Sequence, residues 1–182
     1  MQSFVISLTL FRILAAPFVF ISAVFLENYW LSFWLFNLAA LTDFLDGKIA
    51  RDYEVVSSLG AILDPIGDKL LLLFSLMSIM AITQNLYVDF MAALILGREF
   101  WVSALREFAS ENLIADSTKV TFLAKVKTAI QFISISIYLL SYGIENALII
   151  FLANFTLFLS LLISLKTGIN YTYNVFEKTK NM

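Results

Sequence analysis

The sequence predicts an all-α polytopic membrane protein of six transmembrane helices with both termini cytoplasmic, and three observations carry that expectation. Of the 182 residues, 60% are hydrophobic, 18 are Phe and only 14% are charged, well below the charged fraction of soluble domains. The mean hydropathy is +0.87. The apolar residues fall in six blocks, about 8–26, 30–50, 59–83, 88–107, 122–142 and 146–166, each near the ~20 residues that span a hydrocarbon core. The charges, finally, are sorted by side.

The first block carries Arg12 and Pro17 with no basic stretch before it, so it reads as a retained helix rather than a cleaved signal peptide. The second ends, and the third begins, in a run of aspartates and glycines. The fourth holds Arg98 and Arg106 in its second half, and the fifth opens with Lys125 and Lys127. The sixth is uninterrupted apolar sequence to Lys166, after which Thr167–Met182 reads as a polar, mobile tail.

With six spans, Lys48, Arg51, Lys69, Arg98, Arg106, Lys119, Lys125, Lys127, Lys166, Lys178 and Lys180 all lie on one side or in the helix halves nearest it. Arg12 is expected to snorkel to the same side. The opposite connections hold Glu27, Asp89 and Glu145 and no basic residue. Basic residues are retained on the cytoplasmic face, and an odd number of spans would destroy the pattern.

No linker, low-complexity tract or internal repeat divides the chain, so residues 1–182 are read as one membrane domain. The absence of Cys and His excludes disulfides, thiolate metal sites and imidazole catalysis. No nucleic-acid partner is expected.

Asp43, Asp46, Asp64 and Asp68 need an explanation, because an Asp at the centre of a membrane helix costs roughly 2.5–3.5 kcal/mol on insertion. At about 100° per residue, Asp43, Asp46, Gly47 and Ala50 share one stripe of the second helix, and Gly60, Ala61, Asp64, Gly67 and Asp68 share one of the third. Small residues let helix backbones approach closely. The two helices are therefore expected to press these faces together and gather four carboxylates near the cytoplasmic leaflet. Like charges so close require a cation among them. Oxygen-only ligands favour a hard divalent ion, here Mg2+ with Mn2+ as the alternative, and four carboxylates are enough for two ions. Salt bridges to Arg51 and Lys69 would answer at most two of the four; a proton relay or ion pathway is the other competing reading.

The same residues match the pattern Asp-x2-Asp-Gly-x2-Ala-Arg-x8-Gly-x3-Asp-x3-Asp at Asp43, Asp46, Gly47, Ala50, Arg51, Gly60, Asp64 and Asp68. The chain thereby resembles the CDP-alcohol phosphatidyltransferase family. Ser7-Leu8-Thr9-Leu10-Phe11-Arg12 followed by Pro17 is similar to the family's amino-terminal segment, although Ile6-Ser7 stands where Pro-Asn is common. Gly97-Arg98-Glu99, Ser103-Ala104-Leu105-Arg106-Glu107 and Lys125-Val126-Lys127-Thr128 resemble the branch that uses glycerol phosphate.

The resemblance implies transfer of a phosphatidyl group from CDP-diacylglycerol to sn-glycerol 3-phosphate, giving phosphatidylglycerophosphate and CMP. It implies Asp43, Asp46, Asp64 and Asp68 as metal ligands, with Asp68 also the catalytic base. It implies Thr9, Gly47, Arg51 and Ser57 as contacts to CDP-diacylglycerol, and a homodimer among membrane lipids in a bacterial cytoplasmic membrane, its active site facing the cytoplasm.

A phosphate-bearing acceptor needs a basic pocket. Arg98 and Arg106 are roughly 80° apart on one helix and can border one cavity, whereas Lys125 and Lys127 are about 200° apart and cannot both face inward. Lys125 is taken as the ligand and Lys127 as an interface residue, with Glu99 and Glu107 available as counterions. Other members of the family, making cardiolipin, phosphatidylinositol phosphate or phosphatidylserine, are rival readings. A divalent-cation transporter is the rival from another class.

Overall fold

Apolar segments broken by short polar connections have little choice but helix in a medium that cannot hydrogen-bond the backbone. The structure, a computed structural model, describes residues 2–52 and 58–180, with the side chains at 2–5, 43–52, 58 and 61 outside the description. It contains α1 (Gln2–Val24), α2 (Tyr29–Asp52), α3 (Ser58–Thr83), α4 (Leu86–Glu111), a 3₁₀ turn at Ala115–Thr118, α5 (Phe122–Ile144) and α6 (Ala147–Lys180). Each expected helix is present. Among the described residues, four segments are long and apolar enough to cross a membrane: Ile6–Val24, Ile62–Thr83, Phe122–Ile144 and Ala147–Lys180. The other two helices, α2 and α4, are as long but richer in charge.

Polar contacts between helices show how the bundle is strung. The Ser22 and Ser32 hydroxyls meet at 2.7 Å across α1 and α2, and Ser136 of α5 donates to Asn37 of α2 at 2.8 Å. Tyr138 of α5 donates to Asn154 of α6 at 2.5 Å. Thr9 and Arg12 meet Asp64 and Asp68 in step, so α1 and α3 run parallel. Arg98 and Trp101 likewise meet Thr167 and Thr172 in step, so α4 and α6 run parallel. Successive helices therefore alternate in direction.

The connections α1–α2, α3–α4 and α5–α6 share one design. Each turns on a non-glycine residue in the left-handed region, Glu27 (φ 50°), Gln84 (φ 48°) or Glu145 (φ 56°), which reverses the chain after a helix. Each is followed by an Asn whose side-chain oxygen accepts an amide of the next helix: Asn28 from Leu31, Asn85 from Tyr87 and Asn146 from Leu148. These are N-caps, each worth about 1 kcal/mol.

The α2 face of Asp43, Asp46, Gly47 and Ala50, which the sequence sets against α3, lies outside the described side chains. Over the described residues α1 packs extensively against both α2 and α3. Thr9, Arg12, Ala16, Val19 and Ala23 form a fully internal stripe of α1, spaced at three and four residues as one helix face requires. Gly67 is where α1 and α3 come close. Its Cβ position lies 3.5 Å from Ile13, 3.6 Å from Arg12 and 3.8 Å from Thr9, so α3 turns its small face to α1.

The expected mobile tail is also corrected, because α6 continues to Lys180. Its 34 residues extend about 50 Å at 1.5 Å per residue, against a hydrocarbon core of roughly 30 Å. Thr167, Gly168, Tyr171 and Val175 are buried, and Tyr171 packs with Val102, Leu105 and Ala124. Val175 packs with Ala109 and Ile114 near the 3₁₀ turn. There Asp116 is held below the usual carboxylate range by its hydrogen bond to Lys119, the charge of Lys119 and that of Lys178 on α6. The tail is polar in composition but carries Tyr171 and Val175 at inward positions.

Tyr171 is 2% exposed, so Tyr171→Ala is expected to destabilise the protein by about 3 kcal/mol, as emptying a packed aromatic site does. The measurement is Tm in detergent, and a Tm equal to wild type would contradict the docking of α6.

Candidate active site

Two of the four aspartates can be followed, and both are held by α1. Asp64 accepts a hydrogen bond from Thr9 Oγ1 at 2.5 Å. Asp68, one helical turn on, accepts from Nη1 of Arg12 at 2.5 Å. Arg12 was expected to reach for the cytoplasmic surface; instead its side chain is 0% exposed while that of Asp68 is 45% exposed. A guanidinium so enclosed needs an anion beside it, and Asp68 supplies one while presenting its exposed side to a cavity. Thr9, expected at the lipid donor, is buried at Asp64.

Asp43, Asp46, Gly47 and Arg51 lie on α2 with their side chains outside the described residues, and Ser57 lies wholly outside them. No group of three or more potential metal ligands occurs among the described residues. The donor chemistry of Asp64 and Asp68 nonetheless fits a hard divalent ion, since both offer carboxylate oxygen and the chain has no His or Cys. Their spacing of one turn puts both on the same face of α3.

Asp68 opens onto a cavity of about 720 Å³ lined from α3, α4 and α5, with Ala40 of α2 and Tyr171 of α6 also on its lining. The lining is basic, with Arg98, Arg106, Lys125 and Lys127 contributed by α4 and α5 and Lys69 next to Asp68 on α3. Arg106 is exposed and sits over the Tyr171 ring, 5.5 Å from its centroid, a cation–π arrangement.

Arg98 is 8% exposed. It donates from Nε to the Ser164 carbonyl at 2.9 Å, from Nη2 to Thr167 Oγ1 at 2.7 Å and from Nη1 to Glu99 Oε1 at 3.0 Å.

The expectation that only one of Lys125 and Lys127 faces inward is corrected, because both border the cavity. Lys125 is exposed at the rim, while Lys127, 5% exposed, is the more deeply set and donates to Glu99 Oε1. Lys127 lies on the buried face of α5 with Ala124 and Gln131, and the long stem of Lys125 lets it reach the cavity from outside that face. Sequence reasoning gave Glu99 only a counterion role, set Lys127 at the interface, and assigned no site role to Arg12 or Gln131, the last a buried lining residue. The four-residue step from Lys127 to Gln131 puts them on one helix face, a signal legible in the sequence.

Residues 6–165 match the family model described as CDP-alcohol phosphatidyltransferase. The chain belongs to this family. As a CDP-alcohol phosphatidyltransferase with long apolar helices, it is a transferase and an integral membrane protein. It is 40% identical over 170 residues to a Rickettsia felis protein named CDP-diacylglycerol–glycerol-3-phosphate 3-phosphatidyltransferase, covering 90% of each chain. It is 41% identical over 143 residues to a Cereibacter sphaeroides protein of the same name, covering 76% of this chain and 64% of that one. A Wigglesworthia glossinidia brevipalpis protein, again so named, is 32% identical over 169 residues, with 91% of each chain covered. The family match takes in Thr9, Arg12, all four aspartates and the basic wall.

Arg12→Gln is expected to destabilise this family member by about 2 kcal/mol, the scale of a lost charge-assisted hydrogen bond. Tm measurement checks this, and in a double-mutant cycle with Asp68→Asn the two losses should not add.

Proposed function

We propose that the protein transfers the phosphatidyl group of CDP-diacylglycerol to sn-glycerol 3-phosphate, forming phosphatidylglycerophosphate and releasing CMP. The observation that carries this reading is one cavity lined by the half-exposed Asp68 of α3 and by four cations of α4 and α5, with Lys69 beside Asp68. Relatives covering 90% of the chain bear the name of that reaction. A carboxylate can take a hydroxyl proton while cations hold the phosphate of the same small molecule.

In this reading Asp43, Asp46, Asp64 and Asp68 hold Mg2+ or Mn2+, two ions in all, which when bound neutralise and orient the donor's pyrophosphate. Gly47, Arg51 and Ser57 contact the CDP moiety, with Thr9 setting Asp64. Arg12 orients Asp68, and Asp68 accepts the proton of the acceptor hydroxyl. The hydroxyl oxygen bonds to the phosphatidyl phosphorus as the bond from that phosphorus to the CMP oxygen breaks, so CMP leaves with the electron pair. Arg106, Lys125 and Lys127 bind the acceptor's own phosphate. Aspartates near the end of membrane helices hold the donor headgroup at bilayer depth that keeps its acyl chains in lipid.

The protein crosses a bacterial cytoplasmic membrane six times as a single domain and works as a homodimer, with termini and active site cytoplasmic. Alternating helix direction and the lysine- and arginine-free connections at Glu27, Gln84 and Glu145 support this topology.

Purified protein supplied with CDP-diacylglycerol, Mg2+ and a panel of acceptors should release CMP with glycerol 3-phosphate. Asp43→Asn should reduce that rate by at least about a hundredfold, a loss on the scale of key catalytic groups. Use of inositol phosphate or phosphatidylglycerol instead would identify another family activity, and ion flux without CMP would identify a transporter.

The absence of cysteine makes topology directly measurable. Cysteines placed at Glu27 or Glu145 should react with an impermeant maleimide from outside intact cells, and one at Lys178 only after permeabilisation. Labelling of all three from the same side would refute six spans.

A further inference from the structure

Arg98 and Lys127 are nearly buried cations on neighbouring helices, and one carboxylate serves both. Glu99 Oε1 accepts from Arg98 Nη1 at 3.0 Å and from the Lys127 ammonium. Two like charges in a sparsely hydrated site repel each other unless an anion lies between them.

Arg98 is fixed on its other side by α6. Three of its five N–H donors go to Ser164 O, Thr167 Oγ1 and Glu99. Thr167 Oγ1 can accept because its own proton is directed to the Ile163 or Ser164 carbonyl. Gly168 makes room for the stem, since a Cβ there would lie 3.1 Å from Arg98 Cγ and 3.2 Å from Nε. Lys127, by contrast, has one of three ammonium donors engaged by Glu99, and its side chain lines the cavity.

We propose that Glu99 is the positioning residue of the acceptor-phosphate pocket. It holds the Lys127 ammonium in place to bind the phosphate, and is itself fixed through Arg98 to the Ser164–Gly168 stretch of α6. Arg98 is thus the anchor of this clamp, and Lys127 is the deep phosphate ligand, with Arg106 and Lys125 at the mouth. The inference rests on the phosphorylated-acceptor reading above and goes beyond it in dividing the cations by role. A carboxylate in an anion site would ordinarily weaken binding by repulsion; here it is occupied by two cations, which outnumber it.

The test is steady-state kinetics of the full-length protein in mixed micelles, varying glycerol 3-phosphate and CDP-diacylglycerol separately. Glu99→Gln should raise the KM for glycerol 3-phosphate by roughly tenfold or more, the scale of a charge-assisted hydrogen bond. The KM for CDP-diacylglycerol should stay within about twofold. In a Lys127→Met background, Glu99→Gln should add much less than it does alone, because coupled residues are not additive.

Gly168→Ala should give the same acceptor-selective rise at smaller size, and it carries the test if Glu99→Gln does not fold. Equal changes in both KM values, or fully additive effects of Glu99→Gln and Lys127→Met, would overturn the clamp. Failure of the functional reading looks different. Wild type would then release CMP with another phosphorylated alcohol, whose KM the clamp predicts to shift in the same way. Activity with unphosphorylated alcohols alone would refute both.

Discussion

A guanidinium with no exposed surface must find its counter-charge inside the protein, and in this chain Arg12 finds it in Asp68. That constraint draws α1 into the bundle. It puts Thr9 on Asp64 one turn away and makes Gly67, lying between the two carboxylates in sequence, the point where α1 and α3 come close. The hydrophobic effect supplies little preference among helices already in lipid, where packing and polar contacts decide the neighbours. Two side-chain contacts at one end and the small-residue stripe of α1 are what select them here.

The cavity joins two buried-ion arrangements of opposite sense. On α3, a cation from another helix orients a carboxylate that faces the cavity. On α4 and α5, a carboxylate gathers cations that face it from the other side. In each, an ion pair between helices fixes the geometry of a side chain on the cavity lining.

Much of this was legible in the residues. Block lengths and the sorting of Lys and Arg yielded all six helices, and the aspartate–glycine spacing pointed to the family that the comparisons show. What escaped was the identity of neighbours. Arg12 was assigned to the surface because a charged residue near a helix start ordinarily snorkels, and no periodicity tells which helix will face it. The stretch after Lys166 was read from its polar average, yet Tyr171 and Val175 occur at helical spacing and bury against α4 and the 3₁₀ turn. Treating side chains as radial spokes admits only one of Lys125 and Lys127, whereas Lys127 shares the buried face of α5 and Lys125 reaches the same cavity along its stem. The three Glu-Asn or Gln-Asn dipeptides that close the hairpins were visible as sequence, but their shared geometry emerged only from backbone angles.

The packing of Gly168 against Arg98 ties together two helices that are far apart in the chain. Neither residue can drift alone in descendants of this gene: a methyl at one position crowds the other's stem, and a shorter cation leaves Thr167 and the Ser164 carbonyl without their donor. Tolerated change should therefore arrive in pairs, and a lineage that trades its glycine there should be found to have reshaped the arginine as well.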